Sequence, residues 1–287
     1  MTLNSVLVVG AGTMGRGIAQ WFAQQSVKVQ LLDSNEATVK TAIDSINASW
    51  DKLQAKGKFS EAETNKFKES LSACNWENIK PDTDLVIEAI IENLEIKNDV
   101  FNKLDGICNS ETVFASNTSS IPISSLAKSL PLERRERFLG LHFFNPAPIM
   151  KLVEVIKGHW SKEELISDFT TWFTEHKKEV AICNDSPGFI VNRVARNFYG
   201  ESLRVVNHYD TEKMKEVDNV LKKCGGFRMG PFELMDLIGI DINYSVTESV
   251  WNSFYNEPRF APHQLQKKMV DSGRLGKKTN GGFYDYE

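Results

Sequence analysis

Cysteine is scarce in this sequence, and its cysteines are widely separated. Only four occur among 287 residues, at Cys74, Cys108, Cys183 and Cys224, and no two form a C-x-x-C pair. This spacing argues against a structural zinc site and against a disulfide framework, and it is typical of proteins in a reducing cytosol. We therefore expect a protein without a bound metal and without disulfides.

Long apolar runs and a strong excess of one charge are also lacking. No apolar run approaches the ~20 residues that a membrane-spanning helix needs. The formal net charge of −4 provides no overall field that attracts nucleic acid or an anionic membrane. Because a strand-like run begins at residue 5, we also expect no signal peptide and a cytoplasmic location.

What the sequence does contain, over residues 1–186, is an alternation of short apolar runs with longer amphipathic ones. This alternation is typical of a parallel sheet flanked by helices. Strands are predicted at residues 5–10, 27–33, 84–90, 112–117, 138–144, 151–156 and 178–183. Helices are predicted over residues 35–71, with a break near Gly57, and over residues 162–177.

After the DSPG segment at residues 185–188 the pattern changes to successive helices, which continue to about residue 272. Ser186 and Pro187 are suited to the N-cap and the first position of a helix. We therefore predict an α/β domain over residues 1–186 and a helical domain over residues 187–287.

The segment VVGAGTMGRG joins the first predicted strand to a helix and spaces Gly10, Gly12 and Gly15 as G-x-G-x-x-G. In this setting the first glycine permits a tight turn, the second lets a pyrophosphate approach the backbone, and the third lets the helix pack on the strand. Asp33 ends the next strand, 18 residues after Gly15, where it would accept hydrogen bonds from ribose hydroxyls.

These features predict a Rossmann-type domain that binds a dinucleotide. The Asp33 carboxylate would repel a 2′-phosphate and no arginine follows it, so we expect NAD rather than NADP. A bound flavin is an alternative on the same glycine pattern. Another is a strand–turn–helix without a ligand, in which Asp33 caps the next helix.

A histidine and a glutamate occur at unusual places in HFFNPAPIMKLVEV, residues 142–155. His142 lies at the end of a predicted strand, and Glu154 lies between two valines in the next one. Because a buried unpaired carboxylate is costly, Glu154 needs a partner, and an imidazole one strand away would suffice. The pair is either the base and orienting group of a proton-transfer reaction or a buried pair with a structural role.

Two further polar segments lie where a ligand would bind. Ser119 and Asn117 belong to ASNTSS (115–120), at the end of a predicted strand, where ligands of α/β domains bind. Asn192 follows the domain boundary on an otherwise apolar helix face, where an unpaired amide would be costly. Each also has a structural interpretation, as a helix cap or as a partner in a helix–helix hydrogen bond.

The sequence resembles the L-3-hydroxyacyl-CoA dehydrogenase family over essentially its whole length, especially the stand-alone 3-hydroxybutyryl-CoA type. The stretches that carry the resemblance are VVGAGTMGRGIAQ, DLVIEAIIENLEIK, VFASNTSSI, LHFFNPAPIMKLVEV, DSPGFIVNR, MGPFELMDLIG and LGKKTNGGFYDY. The resemblance implies an NAD-binding domain followed by a helical substrate and dimerisation domain, and hence a homodimer. It also implies reversible, NAD-dependent oxidation of an L-3-hydroxyacyl-CoA with a short acyl chain, in fatty acid β-oxidation.

The resemblance assigns roles to residues of this sequence. The catalytic histidine and glutamate of the family correspond to His142 and Glu154, and its substrate-positioning residues to Ser119 and Asn192. Its cofactor contacts correspond to Gly10, Ala11, Gly12, Thr13, Met14, Gly15, Asp33, Glu92, Lys97, Ser119, Asn145 and Lys278. Its coenzyme A contacts correspond to Ser49 and Lys56. The lysines near Lys56 form either a basic cluster for the coenzyme A phosphates or a solvated helix face.

One departure from the family pattern is Asn197, which stands where a proline usually follows the VNR motif. Two other functions stay open at this point. The first is a related dehydrogenase that acts on a free hydroxy acid or a sugar acid such as gulonate, with the same fold and His–Glu pair. The second is a non-catalytic protein that retains the fold as an NAD-binding structural module.

Overall fold

The structure is a computed structural model, and it describes residues 1–286. The chain separates into two compact units, Met1–Ser186 and Pro187–Glu287. The first unit is built from strands and helices, and the second from helices. Each unit contains its own cluster of buried apolar side chains.

An eight-stranded sheet forms the centre of the first unit. Its strands coincide with short apolar runs and are β1 (Ser5–Val9), β2 (Lys28–Leu32), β3 (Leu71–Cys74), β4 (Leu85–Glu88), β5 (Val113–Ser116), β6 (Phe138–Phe143), β7 (Leu152–Lys157) and β8 (Glu179–Asn184). The strand order is β3-β2-β1-β4-β5-β6-β7-β8. The first six strands have the order of doubly wound dinucleotide-binding domains, and the Rossmann-type prediction is confirmed.

The last two strands run in the opposite direction to the other six. β7 pairs antiparallel with β6, and β8 pairs parallel with β7, so the predicted parallel sheet extends over six strands and two further strands are added at one end. Eight residues separate Phe143 from Leu152, whereas a crossover between parallel strands needs about a dozen or more. The antiparallel pairing sets His142 directly opposite Glu154.

The short strand β3 is missing from the sequence prediction. It lies at the edge of the sheet beside β2 and begins where the predicted helical region ends. Its two central residues are exposed and only Leu71 and Cys74 are buried. A segment of only four residues, with buried side chains at its two ends alone, gives no strand pattern in the sequence.

Seven helices cover the sheet of the first unit: α1 (Thr13–Gln24), α2 (Glu36–Ala55), α3 (Glu61–Glu69), α4 (Leu94–Asp105), α5 (Ile123–Ala127), α6 (Leu132–Glu136) and α7 (Glu163–Glu175). Polar caps define where several of them begin. The Asn35 side chain accepts a hydrogen bond from the first turn of α2, and Ser60 with Glu63 forms a capping box on α3. The predicted break near Gly57 is confirmed, because Gly57 has φ +68° between α2 and α3.

The second unit contains the helices α8 (Val191–Val206), α9 (Thr211–Lys223), α10 (Pro231–Ile238), α11 (Ile240–Ser253) and α12 (Gln264–Asp271). The helix predicted to start at Ser186 and Pro187 starts later, at Val191. Gly188 and Phe189 have φ values of +72° and +48°, and this left-handed conformation does not continue into a right-handed helix. Helix α8 then runs unbroken through Asn197.

The C-terminal segment is held to the helices of the second unit by a buried carboxylate. Asp236 on α10 accepts hydrogen bonds from the backbone N–H groups of Phe283 and Tyr284, both at 2.9 Å, and from the Tyr286 hydroxyl at 2.8 Å. The Phe283 ring is fully buried and packs edge-on against Phe232 at 5.1 Å. The composition of the C-terminal tail, residues 273–286, is polar and glycine-rich and typical of a loop, but these contacts make the tail part of this core.

Candidate active site

Most of the predicted site residues lie at one edge of the sheet of the first unit. The strands β1, β2, β4, β5 and β6 are parallel, so their carboxyl ends meet at that edge, where ligands of α/β domains bind. The glycine turn follows β1, Asp33 follows β2, Ser119 lies in the loop after β5, and His142 is near the end of β6.

The three glycines of the turn differ in how much space the surrounding atoms leave for a side chain. Gly10 has φ +106°, and a Cβ there would lie 2.5 Å from the carbonyl oxygen of Ala89. A Cβ on Gly15 would lie 1.8 Å from the carbonyl oxygen of Gly10, whereas a Cβ on Gly12 would meet no atom within 4 Å. Gly12 is the N-cap of α1, and no side chain caps this helix. The first-turn amides are therefore available to an anion above Gly12.

The Asp33 side chain stabilises the glycine turn and is not the N-cap of the next helix. Its Oδ2 accepts a hydrogen bond from the Ala11 N–H at 2.8 Å, and its Oδ1 accepts one from the Asn35 N–H at 3.1 Å. The N-cap of α2 is Asn35, so the alternative that Asp33 caps this helix is wrong. A carboxylate offers about four acceptor positions, which leaves capacity for ribose hydroxyls.

His142 and Glu154 form a buried pair across two neighbouring strands. The Nδ1 atom of His142 lies 2.7 Å from Oε2 of Glu154, whose side chain is 0% exposed. Phe144 packs against the imidazole with the ring centroids 4.5 Å apart. A carboxylate only accepts hydrogen bonds, so the ionised glutamate would keep the proton on Nδ1 and leave Nε2 as an acceptor.

The turn after β6, which begins near Asn145, is anchored by a lysine that sequence reasoning missed. The Lys178 ammonium donates to the carbonyl oxygens of Ala147 at 2.7 Å and Met150 at 2.6 Å, and it lies 4.6 Å from the centroid of the Trp21 ring. Burial lowers the pKa of Lys178 to about 8. Nothing in the local sequence KKEV distinguishes this lysine from its neighbour.

The loop that carries Ser119 is held by Glu92. The Oε1 atom of Glu92 accepts hydrogen bonds from the N–H groups of Ser119 at 3.0 Å and Ser120 at 3.1 Å, and from the Thr118 hydroxyl at 2.5 Å. Lys97 is only 1% exposed, and its ammonium lies 3.2 Å from Oε2 of Glu92. Direct contacts of Glu92 and Lys97 with a cofactor stay predictions.

Asn117 supports the end of β6. Its Oδ1 accepts a hydrogen bond from the N–H of Phe143 at 2.8 Å, so the amide is bonded to the strand one residue beyond His142. The sequence marks this residue only as a polar side chain at the end of a strand. Its hydrogen bond to Phe143 could not be predicted from sequence, because it requires β5 and β6 to be neighbours in the sheet.

Of the predicted coenzyme A contacts, Ser49 lies on α2 and Lys56 is the C-cap residue that follows this helix. Positions three or four residues apart share a helix face, and the α2 face of Ser49 carries Thr38, Thr41, Ser45, Ser49 and Lys52, with Lys56 just beyond its C-terminal end. Two α1 side chains border it, because an Arg16 guanidinium nitrogen donates to the Ser45 hydroxyl at 3.2 Å and the Gln20 amide to the Ser49 hydroxyl at 3.4 Å. The face therefore combines hydroxyls and cations without a carboxylate.

The two remaining predicted residues belong to the second unit. Asn192 is half-buried in the first turn of α8, and its backbone carbonyl accepts a hydrogen bond from Nε of Arg196 at 3.1 Å. The Lys278 ammonium pairs with both carboxylate oxygens of Asp241, at 2.6 and 2.7 Å. The proposed contacts of Asn192 with substrate and of Lys278 with cofactor stay predictions.

Neither a metal site nor a membrane span is found in residues 1–286. No group of three or more histidine, cysteine, aspartate or glutamate side chains there is arranged to hold a metal ion. No helix in the same range combines the length and the apolar character that a span requires.

The sequence of each unit matches a known protein family. The family described as "3-hydroxyacyl-CoA dehydrogenase, NAD binding domain" matches residues 5–186, and the one described as "3-hydroxyacyl-CoA dehydrogenase, C-terminal domain" matches residues 188–286. The first of these matches agrees with the glycine turn and Asp33, which fit NAD.

Relatives of known name are similar over the whole chain. The 3-hydroxyadipyl-CoA dehydrogenase of Escherichia coli is 40% identical over 286 residues, which are 100% of this chain and 60% of that protein. The probable 3-hydroxybutyryl-CoA dehydrogenase of Bacillus subtilis is 37% identical, over 100% of this chain and 99% of that protein.

A solved structure has the same fold over its full length. The crystal structure of (S)-3-hydroxybutyryl-CoA dehydrogenase from Ralstonia eutropha superimposes with a TM-score of 0.91 at 34% identity, and 100% of both chains is covered. With both family domains matched in sequence order, the chain belongs to the 3-hydroxyacyl-CoA dehydrogenase family.

Proposed function

We propose that this protein catalyses the reversible, NAD-linked oxidation of a short-chain L-3-hydroxyacyl-CoA, such as 3-hydroxybutyryl-CoA, to the 3-oxoacyl-CoA. The observation that carries the proposal is the buried His142–Glu154 pair, with 2.7 Å between Nδ1 and Oε2. It lies at the sheet edge where the glycine turn would hold the dinucleotide. The fold, the family and the positions of the paired side chains thus support one reaction.

His142 acts as the base in this proposal. Its Nε2 accepts the proton of the 3-hydroxyl group, and Glu154 stabilises the imidazolium that forms, because its carboxylate already contacts Nδ1. Bound NAD⁺ would supply the acceptor for the hydride that leaves C3. In the reverse direction, the imidazolium returns its proton to the oxygen of the 3-oxo group.

Ser119 and Asn192 position the substrate in this proposal. The Ser119 hydroxyl donates to the oxygen at C3, where negative charge develops during reduction, and the Asn192 amide orients the thioester. The support for Ser119 is its backbone, which Glu92 fixes at the edge of the sheet. The support for Asn192 is the family resemblance of DSPGFIVNR.

The α2 face favours a coenzyme A ester over a free hydroxy acid or a sugar acid. Coenzyme A carries phosphate groups, and phosphates are bound by hydroxyl donors and cations. Ser49 lies on that face, Lys56 follows its C-terminal end, and Arg16 borders it through its hydrogen bond to Ser45. We propose that Arg16 joins Ser49 and Lys56 in binding the nucleotide part of the thioester.

The reaction is tested by following NADH oxidation with acetoacetyl-CoA, longer 3-oxoacyl-CoAs, and free acetoacetate as the acceptor. We expect turnover of the coenzyme A esters, fastest with the short acyl chains, and little with the free acid. A folded protein that binds NADH but reduces none of the coenzyme A esters would rule the proposal out. Comparable turnover of the free acid would favour the alternative substrate class.

The coenzyme A contact is tested with Arg16→Ala and Lys56→Ala. Each is expected to raise KM for acetoacetyl-CoA by about 3- to 10-fold, the effect of one lost charge-assisted contact worth ~1 kcal/mol. KM for the same acyl group on N-acetylcysteamine, which lacks the nucleotide, should not change. Lys40→Ala serves as the matched control, because Lys40 is an exposed lysine on another face of α2. Equal effects of Lys40→Ala and Lys56→Ala would contradict the proposed contact.

We also propose a homodimer formed by the helical unit, in the cytoplasm. Exposed apolar side chains around the junction of α10 and α11 support the dimer, because Leu237, Ile238 and Ile242 are 51%, 40% and 51% exposed. The small number of cysteines and the lack of any C-x-x-C pair support a reducing compartment. Sedimentation of the wild type and of Ile242→Glu tests the dimer, which the charged variant should weaken.

A further inference from the structure

A fully buried carboxylate stands behind the active-site edge of the sheet and takes no part in the proposed chemistry. Glu88, the last residue of β4, has a side chain that is 0% exposed. Its Oε1 accepts hydrogen bonds from the Lys97 ammonium at 2.5 Å and the Ile90 N–H at 2.7 Å, and its Oε2 accepts one from the Ser116 hydroxyl at 2.6 Å. Its contacts therefore join β4, β5 and α4.

Lys97 connects the buried Glu88 carboxylate to the carboxylate of Glu92. Its ammonium lies between the two carboxylates, 2.5 Å from Oε1 of Glu88 and 3.2 Å from Oε2 of Glu92. Burial alone would raise the pKa of Glu92, but the charge of Lys97 and the hydrogen bonds from Thr118 and Ser120 outweigh it and hold that pKa below its ordinary value. Glu92 is therefore ionised at neutral pH and acts only as an acceptor.

Glu92 in turn fixes the backbone of the loop that carries Ser119. One oxygen, Oε1, accepts the N–H groups of Ser119 at 3.0 Å and Ser120 at 3.1 Å, together with the Thr118 and Ser120 hydroxyls at 2.5 and 2.9 Å. A continuous series of charged contacts thus runs from the middle of the sheet to the backbone of Ser119.

Buried ion pairs are a costly way to stabilise a fold. Removing two charges from water consumes most of their attraction, and apolar replacements of similar volume are often as stable. A buried pair that fixes the direction of a neighbouring group has a different value, because catalytic groups must be held within about 0.5 Å of a productive position. The Glu88–Lys97 pair has such a neighbour in Glu92.

We propose that Glu88 is a positioning residue of the active site, which acts through Lys97 and Glu92 to hold the Ser119 hydroxyl in place. The inference rests on the proposed function, in which Ser119 contacts the oxygen at C3 of the substrate. It also assigns Lys97 to this series of contacts. Glu154 and Glu88 then share one sequence feature, a glutamate within an apolar run of the sequence, but have different roles.

A double-mutant cycle tests whether Glu88 acts through Ser119. The variants are Glu88→Gln, Ser119→Ala and the double variant, and the measured quantity is kcat/KM for acetoacetyl-CoA at saturating NADH. We expect Glu88→Gln to lower kcat/KM by about 10- to 100-fold in the wild type and by less than about 3-fold in Ser119→Ala, since residues that act as a unit are not additive. The same loss in both backgrounds would overturn the inference.

The outcomes separate this inference from the proposed function. A wild-type protein that does not reduce 3-oxoacyl-CoAs contradicts the proposed function itself. A working dehydrogenase in which Ser119→Ala has no effect overturns only the positioning role. If Glu88→Gln does not fold, Glu88→Gln with Lys97→Met removes both buried charges, and the same cycle is run with that pair.

A matched control distinguishes positioning from a general loss of stability. Asp105 pairs with the buried Arg134 in the same unit, with 2.7 Å between Oδ1 and Nε, and neither residue contacts Glu92 or Ser119 in any described hydrogen bond. We expect Asp105→Asn to lower the thermal stability while kcat/KM stays within about 3-fold of the wild type. A loss of kcat/KM equal to that of Glu88→Gln would show that any broken ion pair has this effect, and would overturn the inference.

Discussion

His142 and Glu154 depend on each other at the scale of single residues. The glutamate is fully buried in β7, and the oxygen nearest the histidine lies 2.7 Å from Nδ1. An ionised carboxylate at this depth needs a partner, and the imidazole needs a fixed tautomer to act as a base. One hydrogen bond meets both needs.

Replacing Glu154 tests the chemical part of this dependence. Glu154→Gln preserves the shape of the side chain but removes the charge that stabilises the imidazolium. We expect kcat for acetoacetyl-CoA reduction to fall by ~10²–10⁴, the usual contribution of a general base, with the NADH dissociation constant changed by less than about 3-fold. His142→Gln should cause a loss of the same order. Near-normal kcat in either variant would show that the pair is structural.

Lys178, which holds the turn after β6, makes the free energy of unfolding depend on pH. Its pKa is about 8 in the folded chain and near 10.5 when unfolded, so between these values the unfolded chain binds the extra proton. The free energy of unfolding should therefore rise with pH above 8, by at most about 1.4 kcal/mol per pH unit. Denaturant unfolding from pH 7 to 9 measures this slope, and Lys178→Met should remove it. An equal slope in both proteins would contradict the prediction.

At the scale of elements, the strands and long helices of the first unit could be predicted from sequence because apolar periodicity reports burial directly. The element boundaries that were predicted wrongly depend on backbone conformation rather than on the pattern of apolar residues. Gly188 and Phe189 adopt positive φ values and delay α8 to Val191, although Ser186 and Pro187 have the composition of a helix start. The direction of β7 could not be predicted, because strand composition does not report whether a neighbouring strand is parallel or antiparallel.

The junction of β1 and α1 allows two glycines to be compared. Gly15→Ala places a Cβ 1.8 Å from the Gly10 carbonyl oxygen, whereas Gly12→Ala meets no atom of the chain within 4 Å. We expect Gly15→Ala to lose several kcal/mol of stability, as overpacked variants do, and to lose NADH binding with it. Gly12→Ala should keep its melting temperature within about 2 °C and weaken NADH binding at least 10-fold. Normal NADH affinity in Gly12→Ala would show that the dinucleotide does not approach this turn.

At the scale of the whole molecule, the chain builds two cores, and the second one depends on its last residues. Asp236 holds the backbone of Phe283 and Tyr284, and the Phe283 ring fills the centre of the helical unit. The polar, glycine-rich composition of this tail predicts a loop, and only the hydrogen bonds to α10 make it a structural part of the core.

The burial of the tail predicts that two aromatic residues of the second unit differ greatly in their contribution to the free energy of unfolding. Phe283→Ala removes a fully buried ring and should cost about 3–5 kcal/mol of unfolding free energy, while Tyr255→Ala removes a ring that is 96% exposed and should stay within about 0.5 kcal/mol. Denaturant unfolding followed by circular dichroism measures both. Similar losses in the two variants would contradict the proposed role of the tail in the core.

The sequence by itself determined the Rossmann-type order of elements, the NAD preference and the candidate pair His142 and Glu154. Glycine spacing, strand ends and a charge inside an apolar run are local features, so they could be recognised without knowing which strands are neighbours. Only the tertiary structure decided that β7 returns antiparallel to place that pair face to face, and that Glu88 and Lys97 stand behind Ser119. These facts depend on which strands become neighbours, and neighbours are chosen by packing of the whole sheet.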